Sequence, residues 1–256
     1  MLLRSALLSE LPHGFSTRVG GVSGGRYATL NLGGKWGDDP AAVAENRRRV
    51  AEATGLLPTE LRLARQVHGR AVAVADGRSA EEVLGSDADA VVATETGLAP
   101  SVLTADCVPI LIADEAGRVA AVHAGWRGAV ADIAGATVEE LVSLGCAPSR
   151  LRAAIGPSIC PRCFEVGEDV AAQFAPSFVI REASWPKPHV DLWALCRAQL
   201  VAAGLEDAKI ETLGRCTVHE PELFFSFRRD GANIGQMMSF IAAGRPAQAA
   251  RSAARP

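Results

Sequence analysis

The amino-acid sequence predicts an α+β fold in which mixed β-sheets pack against flanking helices. Apolar, β-branched segments of strand length occur along the chain together with amphipathic helical segments. The two kinds of segment intermix without the regular alternation of a βαβ protein, and neither an internal repeat nor a linker divides them. We therefore expect one domain over residues 1–243. Residues 244–256 are rich in Ala, Arg and Pro without periodicity and are predicted to be a disordered tail.

Helices are predicted where a capping residue precedes apolar residues at helical spacing. Asp39 is a candidate N-cap, Pro40 follows it at the first helical position, and Gly55 ends this helix. Three further helices are predicted at 128–145 (closed by Gly145), 166–174 and 191–204 (opened by Asp191).

Strands are predicted where short apolar runs lie between turn residues. Region 13–39 is interpreted as a strand, a long Gly-rich loop and a second strand, and region 61–76 as a pair of strands. Segments 101–114 and 118–125 are predicted to be buried strands that form a hairpin. The remaining predicted strands are 88–95, 151–159, 209–214 and 234–242.

Composition and charge exclude several classes of function. The formal net charge is −3, so no overall positive field indicates a nucleic-acid partner. No run of about 20 apolar residues indicates a membrane span, and the N-terminal residues lack the apolar region of a signal peptide. The six cysteines show no disulfide spacing, which predicts a reducing, cytoplasmic environment.

Three residues at predicted strand ends are candidates for chemistry: His68, Cys107 and His123. Two imidazoles and a thiolate form a three-ligand set for zinc with one open position. The same residues could act as a cysteine nucleophile with a histidine base, or be ordinary structural residues. If the hairpin turns near Ala116 and Gly117, Cys107 and His123 are offset, which leaves room for an ion between them.

The turn that follows His123 presents an aromatic ring and a cation between two glycines. Trp126 could stack on a planar ligand and Arg127 could hold an anion. A tight turn with Trp126 in the core is an equally good interpretation. Arg18 and Arg47 are two further candidate anion contacts, for which the alternative is a solvated surface charge.

A single C-x-x-C pair, Cys160 and Cys163, is interpreted as mainly structural. A zinc ribbon needs a second such pair, and a redox centre needs a thioredoxin-like context; the sequence shows neither.

Seven segments carry a family resemblance. Together they resemble the YfiH family, also called the laccase-domain or polyphenol-oxidoreductase family, over about residues 13–241. The segments, in chain order, are "HGFSTRVGGVSGGRYATLNLG", "GDDPAAVAENR", "QVHG", "TADCVPILIAD", "VHAGWRG", "IGPSICPRCFEVG" and "CTVHEPELFFSFRRDG". The resemblance implies the α+β fold that this family shares with the cytotoxic-necrotising-factor cysteine hydrolases.

The resemblance also implies a metal and an activity. The ligands would be His68, Cys107 and His123, binding zinc, with copper as the alternative metal. The activity would be phosphorolysis of purine nucleosides (adenosine, inosine and methylthioadenosine) with some adenosine deamination, so that the partners are a nucleoside and phosphate. In one departure, Gln236 stands where relatives often carry Arg. The preferred nucleoside and the oligomeric state stay open.

Counting histidines excludes a four-copper laccase. A trinuclear cluster needs about eight histidines beyond a mononuclear site. The chain has five in all. Two alternative functions stay open: a cysteine hydrolase acting on a peptidoglycan precursor or another amide, and a non-catalytic, metal-stabilised factor of the cell envelope or cell division.

Overall fold

The computed structural model describes residues 1–244, which form two large mixed β-sheets. The strands are β1 Leu2–Leu3, β2 His13–Ser16, β3 Leu61–Leu63, β4 Val72–Val74, β5 Ala90–Ala93, β6 Ala99–Thr104, β7 Val108–Ala113, β8 Val119–Ala124, β9 Arg152–Ile155, β10 Val179–Ile180, β11 His189–Val190, β12 Ile210–Thr212 and β13 Met237–Ile241. One sheet has the order β12-β9-β7-β8-β5-β4 and the other β1-β2-β13-β6-β3. Both contain parallel and antiparallel pairs, so the predicted α+β class is confirmed.

Helices lie on both sides of the sheets. They are α1 Pro40–Glu52, α2 Ala80–Leu84, α3 Trp126–Val130, α4 Ile133–Ser143, α5 Glu168–Ala171, α6 Leu192–Ala202 and α7 Phe227–Asp230. Helices α4, α5 and α6 pack on the outer face of the six-stranded sheet, whereas α1 packs against the five-stranded sheet. Side chains of β7 alternate between two cores: Ile110 and Ile112 pack with α4 and α6, whereas Leu111 packs between the sheets. Because both faces of this strand are covered, its sequence is continuously apolar.

The predicted caps of two helices are confirmed. The Asp39 side chain accepts a hydrogen bond from the Ala41 amide before α1, and the Asp191 side chain accepts one from the Ala194 amide before α6. Gly55 has φ 74° just beyond α1, a conformation that glycine adopts at little cost.

The prediction of one helix over 128–145 is wrong. The chain forms α3 and α4 instead, and Asp132 separates them with φ 62°. The Asp132 carboxylate accepts a hydrogen bond from the Gly135 amide at 3.0 Å. A residue of low helix propensity thus ends one helix and caps the next.

Three strand predictions also need correction. Segment 101–114 is two strands, β6 and β7, which belong to different sheets because the backbone turns between them at Asp106, with φ 96°. The strands of region 61–76, β3 and β4, likewise lie in different sheets. Region 13–39 contains β2 and a 3-10 turn at Gly25–Tyr27, but no second strand.

Residues 245–256, nearly all of the predicted tail, lie outside the described residues. Within residues 1–244, no helix combines the length and apolar character that crossing a bilayer requires. The assignment of residues 1–243 to a single domain stays a prediction.

Candidate functional site

The predicted residues His68, Cys107 and His123 lie together, although only Cys107 and His123 are at strand ends; His68 lies in the loop between β3 and β4. The nitrogen and sulfur ligand atoms of this group lie within 4.8 Å of one another, and Cys107 Sγ is 3.9 Å from His68 Nε2. In the β7–β8 hairpin, Pro109 pairs with His123 and Val108 with Ala124. Cys107 therefore precedes the strand and is offset from His123, as the hairpin pattern predicts.

Backbone strain at two residues helps to aim these side chains. His68 has φ 61° and Asp106 has φ 96°, both in the left-handed region. Such conformations cost about 1–3 kcal/mol each and persist where neighbouring contacts hold them. The Asp106 carboxylate accepts hydrogen bonds from Thr217 Oγ1 at 2.5 Å and from the Arg228 amide at 2.6 Å. These contacts hold the turn that presents Cys107.

Asp89 is the residue that organises the two histidines, and the sequence analysis missed it. Its Oδ1 accepts hydrogen bonds from His123 Nδ1 at 2.7 Å and from the His68 amide at 2.9 Å. Its Oδ2 accepts from the amides of Gly69 at 2.6 Å and Val67 at 3.2 Å. An acidic residue at the start of a buried strand, in "DADAVV", was the available signal. The bond to Asp89 leaves Nε2 as the free nitrogen of His123.

The electrostatics of the group favour the charged forms of its members. Burial raises the pKa of the Cys107 thiol, but the charge of His123 and hydrogen bonds from both histidines lower it to about 6. Burial lowers the pKa of His123, but the Cys107 thiolate and Asp89 raise it to about 9. Burial also raises the pKa of Asp89, and bonds from His123 and backbone amides bring it below its usual value. Cys107 is thus available as a thiolate.

The group lies in the wall of a cavity of about 900 Å³. Its lining combines aromatic and aliphatic side chains with four cations, Lys35, Arg65, Arg127 and Arg228. A large, mainly apolar cavity with a few polar groups is typical of a small-molecule site. Gln236 also lines this cavity.

The predicted residues Trp126 and Arg127 do line the cavity. Trp126 begins α3, directly after the turn that follows His123, and is partly buried against the core beneath it. The Arg127 guanidinium lies 4.2 Å from the centre of the Trp126 ring. Both interpretations of Trp126, core packing and ligand contact, are therefore compatible with its position.

The other two candidate anion contacts, Arg18 and Arg47, lie away from the three ligands. Arg18 donates to the carbonyl oxygens of Ala28 and Pro221 and lies over the ring of Phe225. Arg47 donates to the Leu32 carbonyl and lines a separate cavity of about 540 Å³. Neither residue lines the larger cavity.

The Cys160–Cys163 pair has two neighbours that sequence reasoning did not connect with it. The structure brings Cys216 and His219 to this pair, and the four ligand atoms lie within 4.8 Å of one another. The sequence contains no second C-x-x-C pair. It contains instead C-x-x-H at Cys216 and His219, which is an equally suitable half-site.

Both groups fit a metal ion by their donor chemistry. His68, Cys107 and His123 offer two imidazoles and a thiolate, and the Asp89–His123 bond is the carboxylate contact that orients a metal-ligating histidine. Cys160, Cys163, Cys216 and His219 offer three thiolates and an imidazole.

A substitution at Gly125 tests the geometry of the first group, which consists of His68, Cys107 and His123. An added Cβ would lie 2.6 Å from His68 Cδ2 and 3.3 Å from Cys107 Sγ, whereas the backbone at φ −66° accepts any residue. We expect Gly125→Ala to weaken metal binding at least about 10-fold with little loss of fold. Chelator competition and circular dichroism measure these two effects.

Gly24→Ala is the control, because an added Cβ there meets nothing within 4 Å. Unchanged metal affinity in Gly125→Ala would show that the space between His68 and Cys107 is not critical.

The sequence matches a known family over nearly the whole described region. Residues 12–244 match the family model described as multi-copper polyphenol oxidoreductase laccase. The chain belongs to this family. The resemblance to the YfiH, or laccase-domain, family is thereby confirmed.

Relatives of this laccase-domain chain carry two activities in their names. This chain is 47% identical over 230 residues to purine nucleoside phosphorylase ORF3 of Streptomyces griseus. The match covers 89% of this chain and 92% of the relative. This chain is also 41% identical over 241 residues to adenosine deaminase RL5 of an unknown prokaryotic organism. That match covers 89% of this chain and 92% of the relative. The crystal structure of Bacillus licheniformis hypothetical protein YfiH superposes on this chain with a TM-score of 0.84 at 30% sequence identity. The superposition covers 91% of this chain and 92% of that one.

Proposed function

We propose that this laccase-domain protein is a zinc-dependent purine nucleoside phosphorylase acting on adenosine, inosine and methylthioadenosine, with adenosine deamination as a second activity. The observation that carries the proposal is the convergence of His68, Cys107 and His123 in the wall of a cavity lined by aromatic rings and cations. The phosphorylase and deaminase relatives support the same two reactions.

Zinc is the metal that we assign to His68, Cys107 and His123. Imidazole and thiolate are its preferred ligands, and three protein ligands with an open position are typical of catalytic zinc. When bound, zinc supplies Lewis acidity to an oxygen of the substrate. Asp89 contributes by holding the Nδ1 proton of His123, which directs Nε2 of that ring to the metal.

The aromatic wall provides the surface for a purine. Trp126, Phe164 and Phe227 line the cavity, and the ring of Trp36 lies 6.1 Å from that of Phe227. Stacking on aromatic rings suits all purines alike, which agrees with a broad range of nucleosides.

Cations on the same wall provide the surface for phosphate. In phosphorolysis, phosphate attacks C1′ of the nucleoside as the purine leaves, and the transition state is expected to resemble an oxocarbenium ion by analogy with glycoside hydrolysis. Lys35, Arg127 and Arg228 line the cavity and can hold the phosphate oxygens in position for this attack. They replace Arg18 and Arg47 in the role that the sequence analysis gave them.

Substituting Arg127 is expected to weaken phosphate binding specifically. Arg127 is exposed, and its guanidinium is stacked on Trp126 at the cavity. A charged hydrogen bond is worth about 1.5–3 kcal/mol, so Arg127→Ala should raise the KM for phosphate about 10- to 100-fold and change the KM for adenosine less. Arg181→Ala, which removes an exposed ion pair with Glu168, is the control. An unchanged KM for phosphate would exclude Arg127 from the phosphate site.

The decisive experiment incubates the zinc-loaded protein with adenosine, with and without phosphate, and separates the products by chromatography. Adenine formed only with phosphate supports phosphorolysis, and inosine formed without it supports deamination. If the zinc-loaded protein turns over none of the three nucleosides, the proposal is wrong.

A cysteine hydrolase is the second candidate, because the Cys107 thiol has its pKa lowered to about 6 beside a histidine. That arrangement also activates a cysteine nucleophile. Alkylation distinguishes the two: a stoichiometric metal that protects Cys107 argues against a free nucleophile. We also propose that the protein is cytoplasmic, which agrees with its six free cysteines.

A further inference from the structure

Cys160, Cys163, Cys216 and His219 occur as two half-sites, C-x-x-C and C-x-x-H. The first follows β9 and the second follows β12, and these strands are parallel neighbours. Because the carboxyl ends of parallel strands meet at one edge of a sheet, the two half-sites leave the sheet side by side. A bridge between Ser158 and Cys216 continues this pairing beyond the strands.

The ligand atoms of this group are close enough to share one ion, since one atom from each residue lies within 4.8 Å of the other three. Zinc–sulfur bonds of about 2.3 Å and zinc–nitrogen bonds of about 2.0 Å place neighbouring ligand atoms about 3.5–3.8 Å apart in a tetrahedron. Cys163 Sγ lies 3.1 Å from Nε2 of His219, and Cys160 Sγ lies 3.9 Å from Nδ1 of the same ring. The Cys160 amide donates to Cys216 Sγ at 3.4 Å, a contact that stabilises a thiolate ligand.

We propose that Cys160, Cys163, Cys216 and His219 form a second metal site that binds a structural zinc ion. Four protein ligands of the Cys3His type leave no open position, which is typical of structural zinc, whereas the three ligands of the first group leave one. Three thiolates and one imidazole also favour zinc over cations that prefer oxygen ligands. This site shares no residue with the first group, and the proposal does not depend on the proposed function.

The second site connects two loops that form one side of the cavity. Thr217 lies between the ligands of the second half-site and donates to Asp106, the residue before Cys107. Phe164 follows Cys163 and lines the cavity. Arg228, another lining residue, donates to the Cys163 carbonyl at 3.0 Å. A zinc ion here would link the ends of these loops and hold the wall that faces the first site.

Metal counting on the purified, full-length protein tests this proposal. We expect two zinc ions per chain in the wild type, and one in His219→Ala and in Cys163→Ser. Cys107→Ser should also retain one, because it removes only the ion of the first site. Cys146→Ser is the matched control, since Cys146 is a buried free thiol outside both groups, and it should retain two.

Cobalt substitution and alkylation of folded protein identify the ligands without relying on a variant of the second site. In Cys107→Ser, the remaining Co²⁺ should give the intense charge-transfer absorption of three thiolates, and zinc should protect Cys160, Cys163 and Cys216 from alkylation. One zinc per wild-type chain with these three thiols fully reactive would overturn the proposal. A disulfide between Cys160 and Cys163 in protein purified with reductant would also overturn it. Nucleoside turnover is not part of this test.

Discussion

Cys107→Ser is expected to remove zinc from the first site and to lower kcat/KM for phosphorolysis about 1000-fold or more. The substitution replaces a thiolate with a hydroxyl that stays protonated, so two imidazoles remain of three ligands. Loss of a Lewis acid removes several kcal/mol of transition-state stabilisation, and each 1.4 kcal/mol is tenfold in rate. Steady-state kinetics with adenosine and phosphate, together with a zinc assay, measure both effects.

The control for this substitution is Cys146→Ser. The Cys146 Sγ donates to Asp114 in a buried site, and serine preserves that bond, so activity should change little. If Cys107→Ser lost its first-site zinc but kept full activity, the metal would be structural and the proposed mechanism would be wrong.

Asp89→Asn is expected to lower both stability and metal affinity. The Asp89 side chain is fully buried and accepts bonds from His123 and from three backbone amides. An asparagine has one acceptor oxygen, so its NH2 group would face donors, and leaving buried donors unpaired costs about 3 kcal/mol. Without the carboxylate, His123 is no longer held in the ligating tautomer, which should weaken metal binding about 10- to 100-fold.

Denaturant unfolding of the metal-free protein and chelator competition of the loaded protein measure the two effects separately. The control is Asp87→Asn, two residues away, because Asp87 is exposed and its ion pair with Arg65 lies on the surface, where such pairs contribute about 0–1 kcal/mol. If Asp89→Asn were as stable as Asp87→Asn and kept its metal affinity, Asp89 would not organise the site.

Local sequence patterns predicted those elements whose boundaries depend on neighbouring residues. The helices opened by Asp39 and Asp191 formed as expected because their caps act within three residues. The helix predicted over 128–145 was wrong because Asp132 could either continue a helix or cap a new one, and periodicity does not distinguish these. The same limit applies at Asp106, where one predicted strand segment divides between two sheets.

The sequence by itself determined the mixed α+β class, the three ligands His68, Cys107 and His123 as candidates, and the offset of Cys107 from His123. That offset depends only on the hairpin register, which is a local property of the chain. Only the tertiary structure decided that Asp89 bonds both histidines and that Cys216 and His219 join the Cys160–Cys163 pair. It also decided that Arg18 and Arg47 lie away from the cavity. These arrangements depend on which distant strands are neighbours, β5 with β8 and β9 with β12. Packing between sheets and helices, and not a local sequence pattern, selects that strand order.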